Sequence, residues 1–183
     1  IPQLSTFDKN YLSMYLYAKE HPDTTSWIIK PHPFLKKEAI SYGLFRSSKE
    51  FDDYLKMWDE LPNAKVVLGG DYFDYFKTSD CMIQDSGSFL AEYLYVNKPM
   101  LFLTRESQRF NELGMQIMKV IYHAPGDCME KIIHFIEHTV RNDTLKPARE
   151  RLFKRHFDYV RENHGMLAYE AVHSLITNKI YGE

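Results

Sequence analysis

The stretch Cys81 to Thr104, CMIQDSGSFLAEYLYVNKPMLFLT, restricts the possible folds of this chain more than any other. Its apolar run Cys81-Met82-Ile83-Gln84 stops at Asp85, and Ser86-Gly87-Ser88 are small residues of the kind that allow a sharp turn. The apolar spacing after them predicts a helix over Phe89 to Val96, ended by Asn97-Lys98-Pro99, and Met100 to Leu103 reads as a second buried strand. Strand, turn, helix and strand in that order make a βαβ unit. Where a strand feeds a helix, the first-turn N–H groups lack intrahelical acceptors and the dipole adds roughly half a positive charge, so a phosphate is a natural ligand. Gly87 removes the Cβ that would hold such a ligand off the backbone. Asp85, Ser86, Gly87 and Ser88 are therefore candidate binding residues, although Asp or Ser in this place also serves as an ordinary helix cap.

The flanking sequence continues the alternation. Ser5-Thr6-Phe7-Asp8 has the form of a capping box, and a helix is expected from there to His21-Pro22. Trp27 to Lys30 reads as a strand closed by Pro31-His32-Pro33, which puts His32 at a C-terminal strand end, where open α/β sheets bind ligands. A helix capped by Ser47-Ser48 is expected through Leu61, with Phe51, Tyr54, Leu55 and Trp58 on one face. Lys65 to Leu68 is the next strand, and Asp71 to Thr78 a short helix. Beyond Thr104 come a helical run Ser107 to Met118 broken at Gly114, a fifth strand Val120 to Tyr122, and an amphipathic helix Gly126 to Arg141. Two tail helices, about Ala148 to Val160 and Met166 to Ile180, hinge at Asn163-His164-Gly165 and are expected to pack back on the domain over residues 145–181. The pattern is α/β, a Rossmann-like doubly wound parallel sheet.

Composition narrows the function. A chain of 183 residues fits one domain, and a formal net charge of -2 gives no positive excess for nucleic acid or an anionic membrane. Two cysteines and no spanning apolar run point to a reducing, cytoplasmic setting. No metal set is evident: Asp71 and Asp74 complement a helix start, His134 and His138 lack a third ligand, and the cations from Lys146 to Arg155 read as a solvated helix face. The opening Ile1-Pro2-Gln3-Leu4, directly before a helix, suggests a domain cut from a longer protein at the end of a strand.

Two motifs carry a family resemblance. Lys30-Pro31-His32-Pro33 matches the Lys-Pro-His-Pro of the teichoic-acid CDP-glycerol glycerophosphotransferases, and Asp85 to Pro99 resembles their Asp, small residues with Ser, helix, Lys/Arg-Pro pattern. Asp85 and Ser88 align, whereas Ser86-Gly87 departs towards the Asp-Ser-Gly of UDP-N-acetylglucosamine 2-epimerases. The resemblance implies the C-terminal half of a GT-B fold, in which that half holds the nucleotide. It further implies that His32 lies against the donor diphosphate, that Glu92 binds ribose, and that the His164-Gly165 turn approaches the phosphates. The implied reaction moves glycerol phosphate, or a related polyol phosphate, from a CDP-linked donor to a membrane-associated cell-envelope polymer. The donor is substrate, and neither cofactor nor metal is implied. The general base is expected from the absent N-terminal domain, so this half alone is expected to bind nucleotide without turnover, at or near the inner face of the cell membrane. Two other readings stand beside it: a UDP-sugar glycosyltransferase or epimerase-like domain, favoured by Asp85-Ser86-Gly87, and a non-catalytic Rossmann module that mediates assembly.

Overall fold

The computed structural model describes residues 5–106 and 108–158, and within the tail 169–170, 172–173 and 176–177. In chain order the elements are α1 (Phe7–Glu20), β1 (Trp27–Ile29), α2 (Leu35–Ser41), α3 (Ser48–Asp59), β2 (Ala64–Val66), α4 (Phe73–Thr78), β3 (Met82–Gln84), a 3-10 helix (Glu92–Val96), β4 (Met100–Thr104), α5 (Glu112–Met118), β5 (Tyr122–Pro125), α6 (Met129–His134) running into a π turn (Phe135–Thr139), and α7 (Lys146–His156). Every strand pairing is parallel, and the fold is Rossmann-like α/β as expected. Among the described residues the five strands do not form one ladder: β1 pairs with β2, and β3-β4-β5 form a separate sheet.

The first sheet lies under α1, α2 and α3. Ser47 caps α3 as expected, its hydroxyl accepting the Glu50 amide at 3.2 Å, and Phe51, Tyr54, Leu55 and Trp58 are all buried on one face. Each such side chain contributes about 1.5–3 kcal/mol by leaving water, so this face alone anchors the helix. The unexpected α2 follows from Leu35, Ala39 and Ile40, an apolar stripe at helical spacing that sits between the Pro31-His32-Pro33 turn and Gly43, which takes a φ of 75°. The second sheet is covered on both faces. Met100 and Phe102 point to the core with α5, α7 and the 3-10 helix, while Leu101, Leu103 and Ala124 point to the core with α6.

The start of α1 is wedged against the C-terminal ends of β3 and β5. Asn10, buried, donates to the Gly126 carbonyl at 2.9 Å, and Thr6 is 1% exposed. A Cβ added at Gly126 would lie 2.3 Å from the Cβ and Cγ2 of Thr6, so the residue expected to open a helix instead makes room for α1. Gly126→Ala is expected to lose about 1–3 kcal/mol in urea unfolding, because a core contact of this kind relaxes only by moving backbone. An unchanged midpoint would show that α1 is not seated there.

Two further expectations change. Arg149, placed in a solvated cationic run, is 1% exposed and forms a two-pronged ion pair with Asp143, which also accepts from the Tyr122 hydroxyl at 3.0 Å. The expected helix Gly126 to Arg141 begins only at Met129 and widens to a π turn after His134. Among the described residues no helix is long and apolar enough to cross a membrane.

Candidate functional site

The turn after β3 is held rigidly from below. The half-buried Asp85 carboxylate Oδ2 accepts the Ser5 hydroxyl at 2.8 Å, the Thr6 amide at 2.5 Å and the Thr6 hydroxyl at 3.0 Å. Its carbonyl accepts Arg105 Nη1 at 3.1 Å and Gln108 Nε2 at 3.4 Å, and Gln108 Oε1 in turn accepts the Arg105 amide at 3.1 Å. The side chain of Asp85 thus ties the bend to α1, and its backbone ties the bend to the segment that leaves β4.

Above this clamp the bend is open. Gly87 and Ser88 are exposed, and a Cβ on Gly87 would meet nothing within 4 Å. The Ser88 amide donates to Ser86 Oγ at 3.2 Å and the Leu90 amide to the Gly87 carbonyl at 3.4 Å. The amides of Ser86, Gly87 and Phe89 have no acceptor among the described residues. Backbone N–H groups clustered in a turn favour an anion.

The expected helix after Ser88 is instead a run of turns followed by the 3-10 helix Glu92–Val96. Its cause is packing. Phe89 is set among Tyr72 and Phe76, with ring centroids at 4.9 and 5.2 Å, Tyr93 is fully buried, and Asn97 stops the helix in the left-handed region at φ 48°. So short a 3-10 segment has little macrodipole, which leaves the individual amides and Arg105 as the groups of positive polarity at the bend, beside the Asp85 carboxylate.

His32 stands exposed at the C-terminal end of β1. Its Nδ1 accepts the Phe34 amide at 3.2 Å, an arrangement that places the proton of the neutral ring on the outward Nε2. Lys30, one step earlier in the motif, sets its Nζ 5.7 Å from the centre of the Tyr72 ring. Tyr72 donates to Glu92 Oε2 at 2.7 Å, and that hydrogen bond pushes its phenol above the ordinary value. Lys30, Tyr72 and Glu92 therefore link the end of β1 to the segment after the bend. Glu92 is half-buried and occupied by Tyr72. His164 and Gly165 lie outside the described residues.

Other chemistry is quiet. Burial pushes the Cys81 thiol up to about 12, so it is no thiolate at neutral pH. Asp71 accepts the Phe73 amide at 2.9 Å and Asp74 pairs with Lys77, as residues of a helix start do. Two hollows of about 270 and 310 Å³ lie elsewhere, between α1 and α3 and along α6, and the bend itself is an open ledge. Arg105, Gln108 and Tyr72 were not singled out in the sequence. Arg105 follows directly on β4, at the strand end where ligands bind, and that position is the signal that could have found it.

Compared with known protein families, residues 4–170 match CDP-Glycerol:Poly(glycerophosphate) glycerophosphotransferase. No curated protein and no solved structure matches the chain.

Proposed function

This chain belongs to the CDP-glycerol:poly(glycerophosphate) glycerophosphotransferase family, and we propose that it is the donor-binding half of a GT-B transferase acting on a cell-envelope polymer. The family's members are transferases that use a CDP-linked donor. The observation that carries the reading is the Ser86 to Ser88 bend: exposed, with free amides, and braced by Asp85 and Arg105. A rigid set of donors costs no reorganisation when charge develops on the leaving CMP, which is how such a site would speed transfer.

In this reading the amides of Ser86 and Gly87 and the Ser88 hydroxyl hold the diphosphate, and Arg105 supplies the nearest fixed positive charge. His32 approaches from the end of β1. Glu92 takes the ribose hydroxyls once Tyr72 lets go of it. Asp85 positions the bend without touching the donor. The general base and the acceptor polymer belong to another domain, so this half binds without turnover, on the cytoplasmic side of the membrane. No metal or cofactor enters the chemistry.

Titration calorimetry with CDP-glycerol, CMP and UDP-N-acetylglucosamine tests this. Cytidine ligands are expected to bind more tightly, and Gly87→Ala to weaken CMP about tenfold, a change of about 1.4 kcal/mol, at unchanged thermal stability. The stability half of that expectation follows from the open space around Gly87 and its ordinary φ. Preference for the uridine ligand would move the chain to the UDP-sugar reading that Asp85-Ser86-Gly87 suggests. No binding of any nucleotide at millimolar concentration would leave the non-catalytic module.

A further inference from the structure

Tyr72 and Glu92 flank the bend in sequence and meet beside it. The chain bends after β2 at Gly69-Gly70, with Gly70 at a φ of 83°, and Tyr72 then leads into α4. Glu92 opens the 3-10 helix on the far side of the bend. Phe89, the first residue past Ser88, has its ring centre 4.9 Å from that of Tyr72. The Tyr72 ring also packs on Phe73 at 5.0 Å and on Phe76 at 5.1 Å, and Lys30 Nζ lies 5.7 Å from its centre. Contacts with these side chains restrict where the phenol points.

It points at Glu92 Oε2, which accepts the Tyr72 hydroxyl at 2.7 Å. The bond to a carboxylate holds the phenol above its ordinary value, so Tyr72 stays neutral and a donor around neutral pH. Among the described residues Glu92 has no other hydrogen bond or ion pair, which leaves Oε1 to a ligand while Oε2 is taken. A carboxylate reads two neighbouring hydroxyls by accepting one at each oxygen. Here the first hydroxyl to arrive bonds Oε1 without loss. The second has to displace the phenol from Oε2, which exchanges one hydroxyl-to-carboxylate bond for another of the same kind and gains almost nothing.

We propose that Tyr72 is a specificity-determining residue of the donor site: by competing for Glu92 Oε2 it cancels the gain from a second ribose hydroxyl, so the site hardly separates a ribonucleotide from its 2′-deoxy counterpart. The inference rests on the donor-binding reading above, in which Glu92 meets the ribose, and adds to it how many hydroxyls count. A Tyr72 that only ties α4 to the 3-10 helix predicts something else, since its hydroxyl would then act on every nucleotide alike.

Titration calorimetry of the 183-residue chain with CMP and 2′-deoxyCMP tests this. The wild type is expected to bind the two within about twofold of one another. Tyr72→Phe keeps the ring and its packing but frees Oε2, so CMP is expected to tighten by about fivefold, the worth of one hydrogen bond, with 2′-deoxyCMP unchanged. Adding Glu92→Gln to Tyr72→Phe is expected to abolish that preference, because a carboxamide has a single acceptor oxygen. A wild type that already prefers CMP by about tenfold or more overturns the proposal. So does a Tyr72→Phe protein in which both ligands shift by the same factor, in which neither shifts, or in which CMP weakens and the phenol proves to be a donor contact itself. Each of those results leaves the donor site standing, because CMP still binds. If neither nucleotide binds the wild type at millimolar concentration, the donor-binding reading fails and this inference falls with it.

Discussion

Arg149→Ala is expected to lower unfolding free energy by about 3–5 kcal/mol, out of the 5–15 kcal/mol typical of a whole domain. Arg149 is 1% exposed and its partner Asp143 is 11% exposed, so removing the guanidinium strands a carboxylate in a nearly dry place. The pair also organises its surroundings. Tyr122 donates to Asp143 and accepts the Leu145 amide at 3.2 Å, and Arg149 Nη2 reaches the Asn97 carbonyl at 3.5 Å. One side chain thus ties α7 to β5 and to the left-handed turn that ends the 3-10 helix. At roughly 2–4 °C per kcal/mol for a chain of this size, the melting temperature should fall by about 10 °C. Asp143→Ala should cost at least as much, because it buries an unpaired cation. The double change Arg149→Leu with Asp143→Leu should recover much of the loss, since two apolar groups leave no charge behind. Calorimetry on the wild type and the three variants tests this, and a loss under about 1 kcal/mol for Arg149→Ala would mean that the pair is solvated in solution.

That pair shows what the sequence could convey about this molecule. The alternation of apolar runs with helical spacings was enough for parallel strands, for α3 and its Ser47 cap, and for the places of β1, β3 and β4. It was enough because those features depend on neighbours a few residues away. The cation-rich run from Lys146 to Arg155 looked solvated, since five positive charges in ten residues rarely find burial. What buries Arg149 is Asp143 together with Tyr122 and Asn97, on three other elements. The bend shows the same division. Its place at the end of β3 was legible, but the helix expected after Ser88 is turns and a 3-10 segment. The aromatic contacts of Phe89 with Tyr72 and Phe76, across the sequence, decide the path of the chain. Likewise Ser5 to Asp8 looked like a self-contained capping box; Ser5 Oγ does accept the Phe7 amide at 3.0 Å, but the residues that lead into the helix are held by the Asp85 carboxylate of another element. Arg105 has one signal in the sequence, its place directly after β4, and nothing in its neighbouring residues adds to it.

Asp85→Ala should therefore fail in two ways at once, and the coupling of the two separates a positioning residue from a ligand. Three donors converge on Oδ2, and hydrogen bonds to an ionised acceptor contribute about 1.5–3 kcal/mol each when made singly. Allowing for their shared acceptor and for water reaching a half-buried site, the expected loss is about 2–4 kcal/mol. With the tie to α1 gone, the bend keeps only its backbone bonds to Arg105 and Gln108, and CMP affinity should fall by at least about tenfold. Asp85→Asn retains an acceptor oxygen at the same place and should restore most of both properties. Thr6→Val removes one of the donors while leaving the ligand side untouched, so it should lower stability and affinity in the same proportion as a mild Asp85 change. Were Asp85 instead a direct contact to the donor, Asp85→Asn would change CMP binding with the melting temperature unmoved, and Thr6→Val would leave binding intact. Paired melting and calorimetry on these variants decide between the two, because a clamp couples the measurements and a ligand contact does not.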